Sequence, residues 1–129
     1  MEDVREVDAS NWTTEVTQSN MLTVVYFWHN QCPWCFRLNP IFDEVTEEYR
    51  GKIKFVKLNV LGDPANQEIA TNFGVMSTPT LVFMCSGRPV GQIVGLLSRE
   101  DLEKALDDIF SRHRQCLTQS TELRPAYIV

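Results

Sequence analysis

The chain of 129 residues reads as an α/β protein, a mixed central sheet of about five strands flanked by helices on both faces. Three observations predict this. Short runs of β-branched and aromatic residues alternate with longer segments of helical period, which implies parallel strands joined by helical crossovers. The last two strand-like runs are separated only by Ser86-Gly87-Arg88-Pro89, which implies an antiparallel hairpin at the end of the sheet. At 43% hydrophobic residues, one chain of this length can bury a single core.

The elements follow in order. Val4 to Val7 reads as a short strand, and Asp8 or Ser10 can cap a short helix through about Thr17. Leu22 to Trp28 reads as a buried strand. The next helix shows Leu38, Ile41, Phe42, Val45 and Tyr49 at helical spacing, with Pro40 inside it as a kink and Gly51 just past its end. Ile53 to Val60 is a second strong strand. Asp63-Pro64 supplies an N-cap and first-turn proline for a helix toward Phe73. Thr80 to Cys85 is a third central strand, and Val90 to Val94 pairs back on it. Ser98 with Asp101 resembles a capping arrangement. The last helix then places Leu102, Ala105, Leu106, Ile109 and Phe110 on one face. The expected domain is 1–111, and 112–129 reads as a mobile tail. There is no internal repeat and no low-complexity segment.

The chemistry centres on Cys32-Pro33-Trp34-Cys35, at the junction of a strand and a helix. Such a pair reads as a redox-active dithiol. With Cys32 at the helix N-cap, Pro33 falls at the first helical position, where its missing N–H is no loss. The Cys32 sulfur then faces unpaired N–H groups and the positive end of the helix dipole, which favour thiolate over thiol. Cys35, one turn on, is near enough to close a disulfide. The competing reading is half of a zinc site, which needs two more ligands. Cys85, Cys116, His29 and His113 remain as candidates, and none forms a second close pair.

Several features in series resemble the thioredoxin family over roughly residues 4 to 110: Phe27-Trp28, Cys32-x-x-Cys35, Pro40, Lys57, Thr78-Pro79-Thr80, Gly87 and Gly95. The resemblance implies a thioredoxin fold and a protein disulfide oxidoreductase, with Cys32 as nucleophile and Cys35 as resolving thiol. It implies a cis Pro79 beside the dithiol, with neighbouring backbone at Thr78 and Pro79 pairing with the substrate chain. It implies disulfide-containing protein substrates and a separate reductase, flavin/NADPH- or ferredoxin-dependent, and needs no metal or organic cofactor. Three departures stand out. Tyr26 replaces a buried acid thought to help move the proton of the resolving cysteine, and its phenol is no substitute base near neutrality. Lys57 then lacks its usual acidic neighbour. Gln31 replaces a tryptophan, and Pro33-Trp34, which resembles glutaredoxins, replaces Gly-Pro. A glutaredoxin-like glutathione-linked protein and a non-catalytic binding module are the alternatives. Against the first, the region after the hairpin, Val94-Gly95-Leu96-Leu97-Ser98, lacks a Gly-Gly-Asp segment.

Other residues carry paired readings. Trp28 packs under the active-site loop. Trp34 is a substrate contact or a lid over Cys35. Lys57 has an electrostatic role or snorkels to solvent. His29 could favour thiolate but reads better as an exposed loop histidine. Cys85 reads as a small buried hydrophobe, and Cys116 as a free exposed thiol in the tail, with a regulatory or intermolecular disulfide through it as the alternative. Arg112-His113-Arg114 suits a helix C-terminus. With 17 acidic against 12 basic residues, net −5, the chain offers no footprint for nucleic acid. Its longest apolar run, Leu22 to Trp28, is far short of a membrane span. The acidic N-terminus lacks a signal-peptide pattern. A cytoplasmic monomer without membrane partners is the expectation, and in that compartment thiols are kept reduced.

Overall fold

The computed structural model describes residues 4–113 and Cys116. Its elements run β1 (Val4–Val7), a helical turn (Thr13–Thr17), β2 (Thr23–Trp28), α1 (Pro33–Glu48), β3 (Lys54–Asn59), α2 (Pro64–Asn72), β4 (Thr80–Cys85), β5 (Arg88–Val94) and α3 (Arg99–His113). The strand order is β1-β3-β2-β4-β5. The first three strands in that order are parallel, and β4 and β5 are antiparallel to their neighbours. This is the mixed five-stranded sheet the sequence predicts.

Strand alternation sends the core to both faces. On one face Val24, Tyr26, Phe55, Leu81 and Phe83 pack against Leu38, Phe42 and Val45 of α1 and Leu102, Leu106 and Ile109 of α3. On the other, Val25, Phe27, Val56, Leu58, Val82 and Met84 meet Trp12 and Val16, with Ala70 and Ile69 of α2 and Phe73 just past it. Burying each large apolar side chain contributes roughly 1.5–3 kcal/mol, so the two layers together hold β2 rigidly in the centre. Arg99 braces α3 to α1 by contacting Glu44 at 2.6 Å, Glu48 at 2.5 Å and its own-helix Glu103 at 3.1 Å.

Helix ends follow the sequence signals. The Asp63 carboxylate accepts the N–H groups of Ala65 at 2.7 Å and Asn66 at 3.2 Å. The Ser98 hydroxyl accepts the N–H of Asp101 at 3.0 Å. Two elements differ from expectation. Asp8 spends its carboxylate on a local turn, accepting the N–H of Ser10 at 2.8 Å, so helix begins only at Thr13. That helix is a single wide turn, closed by the Gln18 N–H donating to the Thr13 carbonyl at 2.9 Å. The hairpin turn is also tighter than Ser86 to Pro89. Only Ser86 and Gly87 form it, both in the left-handed region at φ 54° and 82°. That geometry matches the twist of the strands it joins. Pro89 therefore belongs to β5, an edge strand with an irregular register at Phe83/Met84 that tolerates a missing N–H. Glycine is required at position 87, because a Cβ there would also lie 3.1 Å from the Thr17 methyl and 3.2 Å from its carbonyl.

At the C-terminus, α3 runs through His113, past the expected boundary at 111, and Arg112 pairs with Asp108 at 2.6 Å. Of the expected tail, residues 114, 115 and 117–129 lie outside the described residues. Cys116 does not fit the tail reading: it is buried and joined to Cys85. Among the described residues, no helix is long and apolar enough to cross a membrane.

Candidate active site

Cys32 is the N-cap of α1, in extended backbone conformation, and Pro33 opens the helix. A disulfide joins Cys32 and Cys35, whose Cα atoms are 5.2 Å apart. The Cys35 N–H donates to the Cys32 sulfur at 3.1 Å. The donor that caps the helix is therefore already aimed at the atom that carries negative charge when the disulfide opens. Both cysteines are buried, Cys35 completely, which leaves Cys32 as the sulfur with an edge to solvent. Trp34 is 53% exposed and Phe36 59%. The Arg37 guanidinium lies 5.3 Å from the centre of the Trp34 ring. Trp34 thus stands out beside the dithiol as a stacked aromatic surface.

Register brings the second half of the site to the same end of the sheet. Thr80 opposes Phe27 across β2 and β4, so Pro79 comes level with Trp28, where the chain leaves β2 toward Cys32. The Thr78–Pro79 peptide is cis. The Pro79 carbonyl accepts the Gly95 N–H at 2.9 Å, and the Thr80 hydroxyl donates to the Ser77 carbonyl at 2.7 Å. Beside this loop is an open concavity of about 240 Å³, whose lining includes His29, Leu61, Gln67, Thr71, Met76 and Thr78. Met76 is 94% exposed there. His29 is half-buried, and its Nδ1 accepts the Gln31 N–H at 3.1 Å, which places the proton of the neutral ring on Nε2.

Beneath the dithiol, the Tyr26 hydroxyl donates to Asn39 Oδ1 at 2.7 Å and lies 3.3 Å from the Cys35 carbonyl. Burial pushes that hydroxyl well above its ordinary value of 10.0, and the charge of Asp43 pushes it the same way. It holds the first turn of α1 as a hydrogen-bond donor, and burial disfavours its phenolate form. The Lys57 Nζ is 4.8 Å from the Trp28 ring centre and 6.0 Å from that of Tyr26. Lys57 lacks an acid at position 26, as expected, but has acidic neighbours from other elements. Glu6 opposes it in register from β1, and Asp43, Glu44 and Glu47 of α1 share a surface concavity with it. Burial raises the Glu6 carboxyl above its ordinary value, with the Lys57 charge pulling it back. Glu6 and Asn39 escaped the sequence reading because neither belongs to a motif; only strand register and the α1 repeat reveal them.

The remaining cysteines do not join this site. Cys85 ends β4 and pairs with Cys116, Cα atoms 5.8 Å apart, in place of the buried hydrophobe and free exposed thiol expected of them. The four cysteines form two separate pairs at opposite ends of β4, not one cluster.

A mixed sheet with a disulfide at the start of α1 and a cis proline at the same sheet end defines a thiol–disulfide exchange protein. Residues 3–108 match the family model described as Thioredoxin. The chain is 33% identical over 103 residues to a thioredoxin from Chlorobaculum thiosulfatiphilum, covering 80% of this chain and 93% of that protein. It is 33% identical over 102 residues to thioredoxin 1 of Nostoc sp., covering 79% and 92%. It is 32% identical over 105 residues to chloroplastic thioredoxin M4 of Arabidopsis thaliana, covering 81% of this chain but 53% of that longer protein. The chain belongs to the thioredoxin family and is a thiol–disulfide oxidoreductase. This decides the fold and the chemistry against the glutaredoxin-like reading that Pro33-Trp34 suggested.

Proposed function

We propose that the protein reduces disulfides of protein substrates, with Cys32 attacking and Cys35 resolving. The carrying observation is the Cys35 N–H aimed at the Cys32 sulfur at the helix N-terminus. In the reduced protein that donor and the helix dipole favour the Cys32 thiolate. The thiolate attacks one substrate sulfur. The other substrate sulfur leaves as thiolate and takes a proton. Cys35 then gives up its proton and attacks Cys32, releasing the second substrate thiol and closing the Cys32–Cys35 disulfide. Two electrons and two protons pass to the substrate. Thr78 and Pro79 offer backbone to the substrate chain, and exposed Trp34 and Met76 flank it with apolar surface. Trp28 and Lys57 support the site from below.

A separate reductase, drawing on flavin and NADPH or on ferredoxin, recharges the disulfide. The protein works as a monomer in the cytoplasm, a placement that rests on the need for a steady supply of reductant. Fractionation of cells and chromatography of the pure protein check those two points. The chemistry is tested with insulin as a model substrate and dithiothreitol as electron source. Wild type should accelerate insulin reduction, and Cys32→Ser should fall to the uncatalysed rate. A fully active Cys32→Ser protein would make this a binding module instead.

A further inference from the structure

We propose that Cys85–Cys116 is a second, structural disulfide, which stays closed while Cys32–Cys35 turns over and clasps the chain beyond the family domain to the sheet. Cys116 lies outside residues 3–108, the span of the family match, yet it is only 3% exposed, and its partner Cys85 only 4%. Segments added beyond a domain have no obligation to bury a cysteine against its central sheet. This one does, and its Cα separation of 5.8 Å is that of an ordinary disulfide.

The two pairs cannot trade electrons within one chain. Thr80 begins β4 at the dithiol end, and Cys85 closes it at the other. Five residue steps of strand separate them by about 17 Å. Burial does not distinguish the pairs, since Cys32 is 4% exposed as well. Electrostatics does. Cys32 occupies the N–H end of α1 and receives a hydrogen bond from Cys35. Cys116 lies three residues past His113, at the carbonyl end of α3, where the dipole opposes negative charge. The described contact to the Cys116 sulfur outside the pair is the Ser86 hydroxyl at 3.9 Å, too long to hold a thiolate. A sulfur that makes a poor thiolate is a poor leaving group, so reductive opening is slow and unfavourable, and the buried pair stays closed even in a compartment that keeps accessible thiols reduced. The pair also closes a loop of 31 residues in sequence, which restrains the unfolded chain and so stabilises the fold. Closure requires the two thiols to lose two protons and two electrons to an external disulfide, protein or low-molecular-weight, through a mixed disulfide at one of the two sulfurs.

The test equilibrates the full-length protein, purified without reductant, in buffers of reduced and oxidised dithiothreitol. Samples are quenched in acid, alkylated and mapped by peptide mass spectrometry. Cys32 and Cys35 should label first. The linked Cys85–Cys116 peptides should persist until the reduced-to-oxidised ratio is at least about tenfold higher. Opening of all four cysteines at one ratio would overturn the proposal, as would free Cys85 and Cys116 in the starting protein. Cys116→Ser supplies a second readout. Without reductant its melting temperature should fall by about 10 °C, with insulin reduction within about twofold of wild type. An unchanged melting temperature, or lost activity, would count against an independent clasp.

Discussion

The two cysteine pairs sit at opposite ends of the same strand and meet opposite ends of their helices. Cys32 heads α1 with a backbone N–H on its sulfur; Cys116 trails α3 at its carbonyl end. Both are buried in similar measure, so accessibility in the resting structure is not what separates a working disulfide from a holding one. The charge each environment tolerates on sulfur separates them. The surroundings agree. The dithiol end carries exposed Trp34, Phe36 and Met76 and a loop with a cis peptide. The clasp end carries a two-residue turn packed on Thr17 and ends of strands covered by helix.

The largest effects should come from breaking the dithiol. Cys35→Ser should complete the first attack and stall, accumulating mixed disulfides through Cys32 that mass spectrometry can identify. Capture of substrates through Cys35 in a Cys32→Ser protein instead would reverse the attack order. Next comes the clasp. Cys116→Ser should lower unfolding stability by about 2–4 kcal/mol in denaturant without reductant. Adding enough dithiothreitol to open the wild-type clasp should erase that difference. A gap that survives full reduction would assign the loss to packing of Cys116 and not to the bond.

A smaller effect tests what lies beneath the dithiol. Tyr26→Phe keeps the ring against Phe42, 4.7 Å between centroids, and deletes only the hydroxyl shared by Asn39 and the Cys35 carbonyl. Loss of that bond should cost about 1 kcal/mol in chemical denaturation. The hydroxyl's pKa is raised by burial, so it stays protonated across the working range. The pH profile of insulin reduction should therefore superimpose on wild type. A displaced profile would mean that Tyr26 takes part in moving a proton.

These contrasts were unevenly legible in the residues. Cys32 at the N-cap, Pro33 behind it and Asp63-Pro64 are local chemistry, and local chemistry is written in sequence. The mixed sheet and the two-faced core followed from period and alternation. Three things did not follow. Cys85 and Cys116 are far apart in the chain, and pairing them needs the path of β5 and α3 between them. The acids around Lys57 come from β1 and α1, so a search along its own strand finds none. Asp8 had two possible uses, a helix cap or a local turn, and only the competition with Asn11 and Ser10 decided for the turn. Each miss is a choice settled by tertiary neighbours.

The finest comparison sets two carboxylate–lysine pairs against each other, one at the start of β3 and one further along it. At the clasp end, where Lys54 opposes Thr23, the Lys54 ammonium lies 2.9 Å from the Glu15 carboxylate and donates to the Glu15 carbonyl at 2.8 Å. The hydrogen bond from Lys54 lowers the Glu15 pKa from its ordinary 4.5. A lowered carboxyl contributes stability that is full above 4.5 and lost as pH falls through the folded value. Toward the dithiol end, Glu6 opposes Lys57 and burial raises its pKa. A raised carboxyl does the reverse: it costs stability above its folded pKa, and the cost fades as pH falls to 4.5. Glu15→Gln should then destabilise at pH 7 by about 0.5 kcal/mol, the scale of a partly exposed ion pair, and do nothing in strong acid. Glu6→Gln should leave stability at pH 7 unchanged or slightly higher, and likewise do nothing in strong acid. Denaturant titrations of both variants at pH 7 and pH 3 read the two signs directly. If both substitutions destabilise alike at neutral pH, the Lys57 side of the sheet is held by its ion pair just as the Lys54 side is, and the division of the molecule into a reactive end and a holding end stops at the cysteines.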